Sequence, residues 1–140
     1  MTTKTNILVV DDEEVVRLSY ARTLAGEHCN VETVGDGKHA LQIMARKPFD
    51  VVLLDLRMPE MDGMTVLKAI KGKWPESEVI IITGYPAVAS AKEAVTLGAY
   101  SYLAKPVGPE EVINAANGAM MHKRWALRCD QVAQCDATSG

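Results

Sequence analysis

The chain is poor in the features that mark several large functional classes. No apolar stretch approaches the ~20 residues needed to cross a bilayer, which excludes a membrane-spanning helix. Lys and Arg number 15 against 18 Asp and Glu, a formal net charge of −3. There is no basic stripe or polybasic cluster, which argues against a general binder of nucleic acid or membrane surfaces. Aromatic residues are only 5 % of the composition, with a single Phe, so the core must be aliphatic. Cys29, Cys129 and Cys135 are an odd set without CxxC spacing. That fits thiols in a reducing compartment better than a disulfide framework. With His122 the last two form no standard metal-ligand pattern. The polar start, residues 1–6, lacks the apolar core of a secretory signal, and a cytoplasmic location is expected.

Short aliphatic runs stand out instead. Ile7-Leu8-Val9-Val10, Val51-Val52-Leu53-Leu54 and Val79-Ile80-Ile81-Ile82 do not alternate with polar residues, the pattern of strands buried on both faces of a parallel sheet. At 140 residues one domain is expected, burying about 68–70 % of its unfolded surface. The periodicity predicts strands at 6–10, 31–34, 51–54, 79–82 and 100–104. Between them fall helical stripes: Val16, Tyr20 and Leu24, stopped at Gly26; Ala40, Leu41 and Met44 after the Asp36-Gly37 turn; Val66, Leu67 and Ile70 after Asp62-Gly63. An Ala-rich helix over 86–97 follows, with Pro86 in its first turn and Gly98 just past its end. Pro109 opens a last helix, with Glu110 and Glu111 in its first turn. Asp12 reads as the cap of the first helix. Five regular β-α units imply an α/β fold, a parallel sheet with right-handed crossovers and helices on both faces.

Polar residues at strand ends carry the chemistry. Asp11 and Asp12 follow the first run, Asp55 ends the third, Thr83-Gly84 closes the fourth and Lys105-Pro106 follows the fifth. Ligands of open α/β sheets bind outside the carboxyl ends of the strands. Carboxylates crowded there repel one another unless a cation joins them, and an oxygen-only set favours a hard ion such as Mg²⁺. Taken singly, each has a plain structural reading: Asp12, Glu13 and Glu14 as a helix start, Asp55 as a turn cap, Lys105 as a solvated lysine, Thr83 as a β-branched strand end. Four unrelated accidents at four strand ends would be needed to sustain all of them.

Together these pieces, with Leu54-Asp55-Leu56-Arg57-Met58-Pro59-Glu60-Met61-Asp62-Gly63, resemble the receiver domain of bacterial two-component response regulators over roughly residues 5–122. The segments Thr83-Gly84-Tyr85-Pro86 and Leu97 through Pro106 look most like receivers of nitrogen-regulator-type transcription activators. The resemblance implies a flavodoxin-like (βα)5 sandwich with strand order 2-1-3-4-5. It implies that Asp55 accepts a phosphoryl group from a histidine kinase or histidine phosphotransfer protein, so that the domain is a phosphorelay switch rather than an enzyme, one that assists its own phosphorylation and dephosphorylation. The implied metal is Mg²⁺, with Mn²⁺ as a substitute, held by Asp11, Asp12, Asp55 and the backbone carbonyl of Arg57. Thr83 and Lys105 would assist at the phosphoryl group, and Thr83 with Tyr102 would relay the change to the face of helix four, strand five and helix five. That face would meet an effector domain or partner protein, or a second copy in a homodimer, without direct contact to nucleic acid or membrane.

The Lys105-Pro106 bond is expected to be cis, as in relatives, and Val107 departs from the usual Phe. The bulk of Arg57 and Tyr85 is expected to hinder hydrolytic water at the phosphoryl group.

The receiver is placed at 1–121 and a helical extension or linker tail at 122–140. Met121, Trp125, Cys129 and Val132 fall at helical spacing, so the last helix either runs past the domain toward dimerisation or an effector, or ends in a frayed tail. Neither a helix-turn-helix module nor a Walker A sequence is present, which leaves a stand-alone receiver or the front of a longer regulator. The alternative, a haloacid-dehalogenase-like Mg²⁺-dependent phosphatase, also uses an Asp nucleophile but needs an acid two residues on, where this chain has Arg57. A flavodoxin-type flavin binder would need a Ser/Thr/Gly-rich loop where Asp11-Asp12-Glu13-Glu14 stands.

Overall fold

The computed structural model describes residues 4–26, 28–58 and 61–139, with side chains described up to Trp125. The order is β1 (Thr5–Val10), α1 (Glu14–Leu24), β2 (Cys29–Val34), α2 (Gly37–Arg46), β3 (Val51–Leu54), α3 (Gly63–Lys73), β4 (Glu78–Thr83), α4 (Val88–Thr96), β5 (Ser101–Ala104) and α5 (Pro109–Ser139). The strands form one parallel sheet in the order β2-β1-β3-β4-β5, the flavodoxin-like arrangement expected from the sequence.

Because strand side chains alternate in direction, each aliphatic run supplies two cores. Leu8, Val10, Val52, Leu54, Val79 and Ile81 pack with Ala40 and Met44 of α2, Val66, Leu67 and Ile70 of α3, and Ala94 of α4. Ile7, Val9, Val51, Leu53, Ile80 and Ile82 face Tyr20 and Leu24 of α1 and Val112, Ala116 and Ala119 of α5 on the other side. The non-alternating runs are thus explained: both faces of β1, β3 and β4 are covered.

Three local expectations are corrected. Helix α1 begins at Glu14, and its N-cap is Glu13, with no side-chain hydrogen bond; Asp12 therefore caps nothing and stands in the loop. Helix α4 begins at Val88 rather than 86. Pro86 lies before the cap because Ala87, extended, donates its N–H to the Tyr102 hydroxyl at 3.3 Å. Strand β2 starts at Cys29, two residues earlier than the apolar pattern suggests, since pairing with Thr5 and Asn6 carries it on. Other signals hold as read. The Asp36-Gly37 and Asp62-Gly63 turns lead into α2 and α3, where each Asp also caps its helix by accepting from His39 or Met64 N–H; Gly98 follows α4 at φ 102°, and the Lys105-Pro106 bond is cis.

Candidate functional site

The order β2-β1-β3 places the sheet's reversal of direction between β1 and β3, where the ends of neighbouring strands leave a crevice. Asp11 and Asp55 stand one residue beyond those strands. The Asp11 N–H donates to the Val34 carbonyl at 3.2 Å and the Asp55 N–H to the Val10 carbonyl at 3.0 Å, so the ladders continue through both acids and fix their backbones. Asp11 is 2 % and Asp55 6 % exposed; Asp12 is exposed.

Oxygens from Asp11, Asp12 and Asp55 lie within 4.8 Å of one another. Gly63 lets α3 close beneath them: a Cβ there would fall 2.5 Å from the Leu56 Cα and 2.6 Å from the Asp55 carbonyl oxygen.

Lys105 answers this charge from across the crevice. Its N–H donates to the Thr83 carbonyl at 2.7 Å, anchoring it where β4 and β5 end. Its Nζ reaches Asp11 Oδ2 at 2.8 Å and Asp55 Oδ2 at 3.5 Å. The other Asp55 oxygen accepts from the Arg57 N–H at 3.3 Å. Burial pushes the Asp55 carboxyl above the usual carboxylate range, against the lowering effect of Lys105 and with the help of Asp11. Burial also acts to lower Lys105, yet its hydrogen bond to Asp11 and the charges of Asp11 and Asp55 outweigh it and raise the ammonium pKa. One lysine holds two buried carboxylates and cannot satisfy both equally.

Thr83 is fully buried, and its hydroxyl oxygen accepts from the Tyr85 N–H at 3.1 Å. Tyr102 is half-buried. Tyr85, 65 % exposed, lies under the Arg57 guanidinium, 4.0 Å from its ring centre. Asp11, Asp12, Asp55, Arg57, Thr83, Tyr85 and Lys105 thus stand at one edge of the sheet or in the loops just above it, while Tyr102 lies within β5, opposite Ile81.

Two neighbours were not anticipated. Tyr20, read only as part of an apolar stripe, has its phenol pKa raised by burial, with Asp11 and Asp55 adding to the effect and Lys105 opposing it. Arg17 donates from Nη1 to the Asp11 carbonyl at 2.7 Å. A signal for it existed: a cation in the first turn of a helix opposes the helix dipole.

The carboxylate set suits a hard divalent cation. Octahedral Mg²⁺ takes oxygen ligands at about 2.1 Å, and the three acids here offer oxygens only, close together at the strand ends. Among the described residues no other cluster of acids, Cys or His could hold a metal ion. His122 instead faces Glu78, Nδ1 to Oε2 at 3.3 Å, while Cys129 and Cys135 lie outside the described side chains. Among the described residues no helix is long and apolar enough to cross a membrane.

Residues 7–117 match the family described as the response regulator receiver domain. A putative response regulator NtrX-like of Rickettsia bellii is 38 % identical over 77 % of this chain and 23 % of its own length. The DNA-binding transcriptional regulator NtrC of Escherichia coli K12 is 38 % identical over 83 % of this chain and 25 % of its own. The chain thus spans about a quarter of the curated relatives it matches.

Among solved structures, NtrX of Brucella abortus superposes with a TM-score of 0.86 at 29 % identity, over 93 % of this chain and 30 % of that one. A receiver domain from Clostridium thermocellum does so at 0.81 and 33 %, over 87 % and 98 %. A CheY-like receiver from Methanospirillum hungatei, at 24 % identity and a TM-score of 0.85 over 89 % of this chain and 99 % of that one, shares the fold. None of this favours the haloacid-dehalogenase alternative, and the residue two beyond Asp55 is a guanidinium stacked on Tyr85, not an acid. Receiver domains are in general Mg²⁺-dependent, and the acidic cluster here is in keeping with that. With the fold, the strand-end acids and the family match in agreement, the chain belongs to the response regulator receiver domain family, a regulatory two-component phosphorelay switch rather than an enzyme.

Proposed function

We propose that Asp55 is the phosphoacceptor of this switch. Its carboxylate oxygen attacks the phosphorus of a phosphohistidine on a histidine kinase or histidine phosphotransfer protein. The P–N bond breaks, and the imidazole leaves with the electron pair and takes a proton. Asp11, Asp12, Asp55 and the Arg57 carbonyl would hold Mg²⁺, or Mn²⁺ in its place, which supplies positive charge to the phosphoryl oxygens. The observation that carries the reading is a cluster of three carboxylates whose two buried members, Asp11 and Asp55, both meet the Lys105 ammonium.

The residues divide the remaining work. Lys105 exchanges Asp11 for a phosphoryl oxygen, moving its charge to where negative charge gathers. The Thr83 hydroxyl, an acceptor from Tyr85 N–H, keeps its own proton to donate. Recruiting that hydroxyl pulls on the β4–α4 loop, because Tyr85 and Ala87 tie the loop to Thr83 and to the Tyr102 hydroxyl respectively. Loss of the second bond frees the Tyr102 ring to turn inward. The change then reaches the α4–β5–α5 face, where Val88, Val95 and Ile113 are exposed. That face is the proposed surface for an effector or a second copy.

The receiver is taken as residues 1–121, with the remainder of α5 as an extension toward an output. Its Met121 and Trp125 are 70 % and 63 % exposed; Cys129 and Val132 of the same stripe lie outside the described side chains. The setting is cytoplasmic, and transcription regulation is the expected output. Incubation with Mg²⁺ and acetyl phosphate should give an acid-stable, base-labile adduct that Asp55→Asn abolishes. Absence of both that adduct and a spectroscopic response to beryllofluoride would overturn the reading.

A further inference from the structure

Asp11 is held at four points. Its N–H bonds Val34, its carbonyl accepts from Arg17, Oδ1 accepts from the Glu13 N–H at 2.9 Å, and Oδ2 meets Lys105. Asp12 is exposed and shares none of these bonds. The direction in which Asp12 points is therefore set by the peptide unit joining it to Asp11, whose carbonyl is the group that Arg17 grips at 2.7 Å. A guanidinium donor makes that bond charge-assisted and short.

The grip has a matching space. Arg17 passes over Gly35, just after β2, where a Cβ would lie 3.3 Å from Nη1, tight enough that the guanidinium would have to give by a few tenths of an ångström. The arginine also stands in the first turn of α1, an unfavourable place for a cation, and its charge lies beside a site read as cation-binding. Both effects count against it, so its value lies in the bond.

We infer that Arg17 is a positioning residue, which together with the gap at Gly35 holds the Asp11-Asp12 peptide so that Asp12 joins Asp11 and Asp55 around a divalent cation. This rests on the proposed reading of those acids as the Mg²⁺ site. Electrostatics alone predicts the opposite sign, since removing a nearby positive charge should tighten cation binding.

The test is a MgCl2 titration of the unphosphorylated protein, followed by calorimetry and by backbone amide shifts at Asp12 and Asp55. Arg17→Ala should raise the Mg²⁺ Kd by about tenfold, as loss of an outer contact to a metal ligand does, and Arg17→Lys should recover much of it. Gly35→Ala should give a smaller loss in the wild-type background and none beyond that of Arg17→Ala in the double variant. A role confined to stability would lower the melting temperature and leave Kd unchanged; unchanged or tighter binding in Arg17→Ala overturns the inference. So does a Gly35→Ala loss of equal size in both backgrounds. Should Arg17→Ala not fold, Arg17→Lys and Gly35→Ala carry the test. Wild-type protein that binds no Mg²⁺ would sink the reading of the site itself, and the inference with it.

Discussion

The two ends of the sheet both bury acids, and they treat them in opposite ways. At the amino ends of the strands each carboxylate has its own partners. Asp50 accepts from Lys123 at 2.7 Å and from the Asn6 N–H at 2.8 Å, and Glu78, 6 % exposed, faces His122. At the carboxyl ends two buried carboxylates, Asp11 and Asp55, share one lysine, with the exposed Asp12 beside them. A balanced pair can be kept for stability, whereas a surplus of buried negative charge costs stability and persists where a cation or a reaction uses it. Burial by itself marks neither end as functional; the charge balance does.

Changes at the surplus end should have the largest effects and the most unusual signs. Asp55→Asn should lose phosphorylation altogether and yet raise the melting temperature at neutral pH in the absence of metal. The folded carboxyl has a raised pKa, so its stabilising contribution is complete only below the ordinary carboxylate range and is lost as pH rises through the folded value. The advantage of Asn should accordingly shrink as pH falls toward that range, and an advantage that grows on acidification would contradict it.

Lys105→Ala should be the next largest. Without metal it leaves the acids unopposed and lowers stability, and added MgCl2 should restore more stability to it than to wild type. Because the folded ammonium has a raised pKa, the wild-type advantage should be complete below the ordinary lysine range and fade as pH climbs from there through the folded value, which a melting series can follow.

At the balanced end the same kind of change should behave conventionally. Lys123→Ala leaves Asp50 with only the Asn6 N–H, and a cost of about 1–2 kcal/mol is expected for this partly exposed pair, read by urea unfolding. Phosphorylation by acetyl phosphate should be unaltered; a change there would mean that the two ends are coupled. Smallest is Tyr85→Ala, which removes the ring stacked under Arg57 and should speed loss of the phosphoryl group severalfold in a dephosphorylation time course. No acceleration would count against the shielding role.

The elements were legible where side-chain pattern and burial coincide. The run Val51 to Leu54 is β3 to the residue, because both faces are covered and every position is apolar. β2 was underestimated because it is a half-solvated edge strand containing Asn30 and Glu32, whose pairing depends on β1. Asp12 looked like a cap because an acid before a helix commonly is one; the loop runs one residue further before α1 begins. Pro86 looked like a first-turn proline, but the Tyr102 hydroxyl, distant in sequence, holds Ala87 in an extended conformation. Arg17 offered only one signal, a cation in the first turn of α1; its partner is a backbone carbonyl, which no side-chain pattern advertises.

By itself the sequence determined the β-α alternation, the doubly covered strands and the placing of Asp11, Asp12, Asp55, Thr83 and Lys105 at strand ends, since these follow from periodicities of two and 3.6 residues and from local turn chemistry. Only the tertiary structure decided their relations. Lys105 is separated by 94 residues from Asp11 and by 50 from Asp55, and strand order, not spacing along the chain, sets those distances. It also decided that one ammonium bridges two buried carboxylates at one end while acids and bases pair off at the other. Charge balance depends on which side chains share a desolvated space, and that is a property of packing.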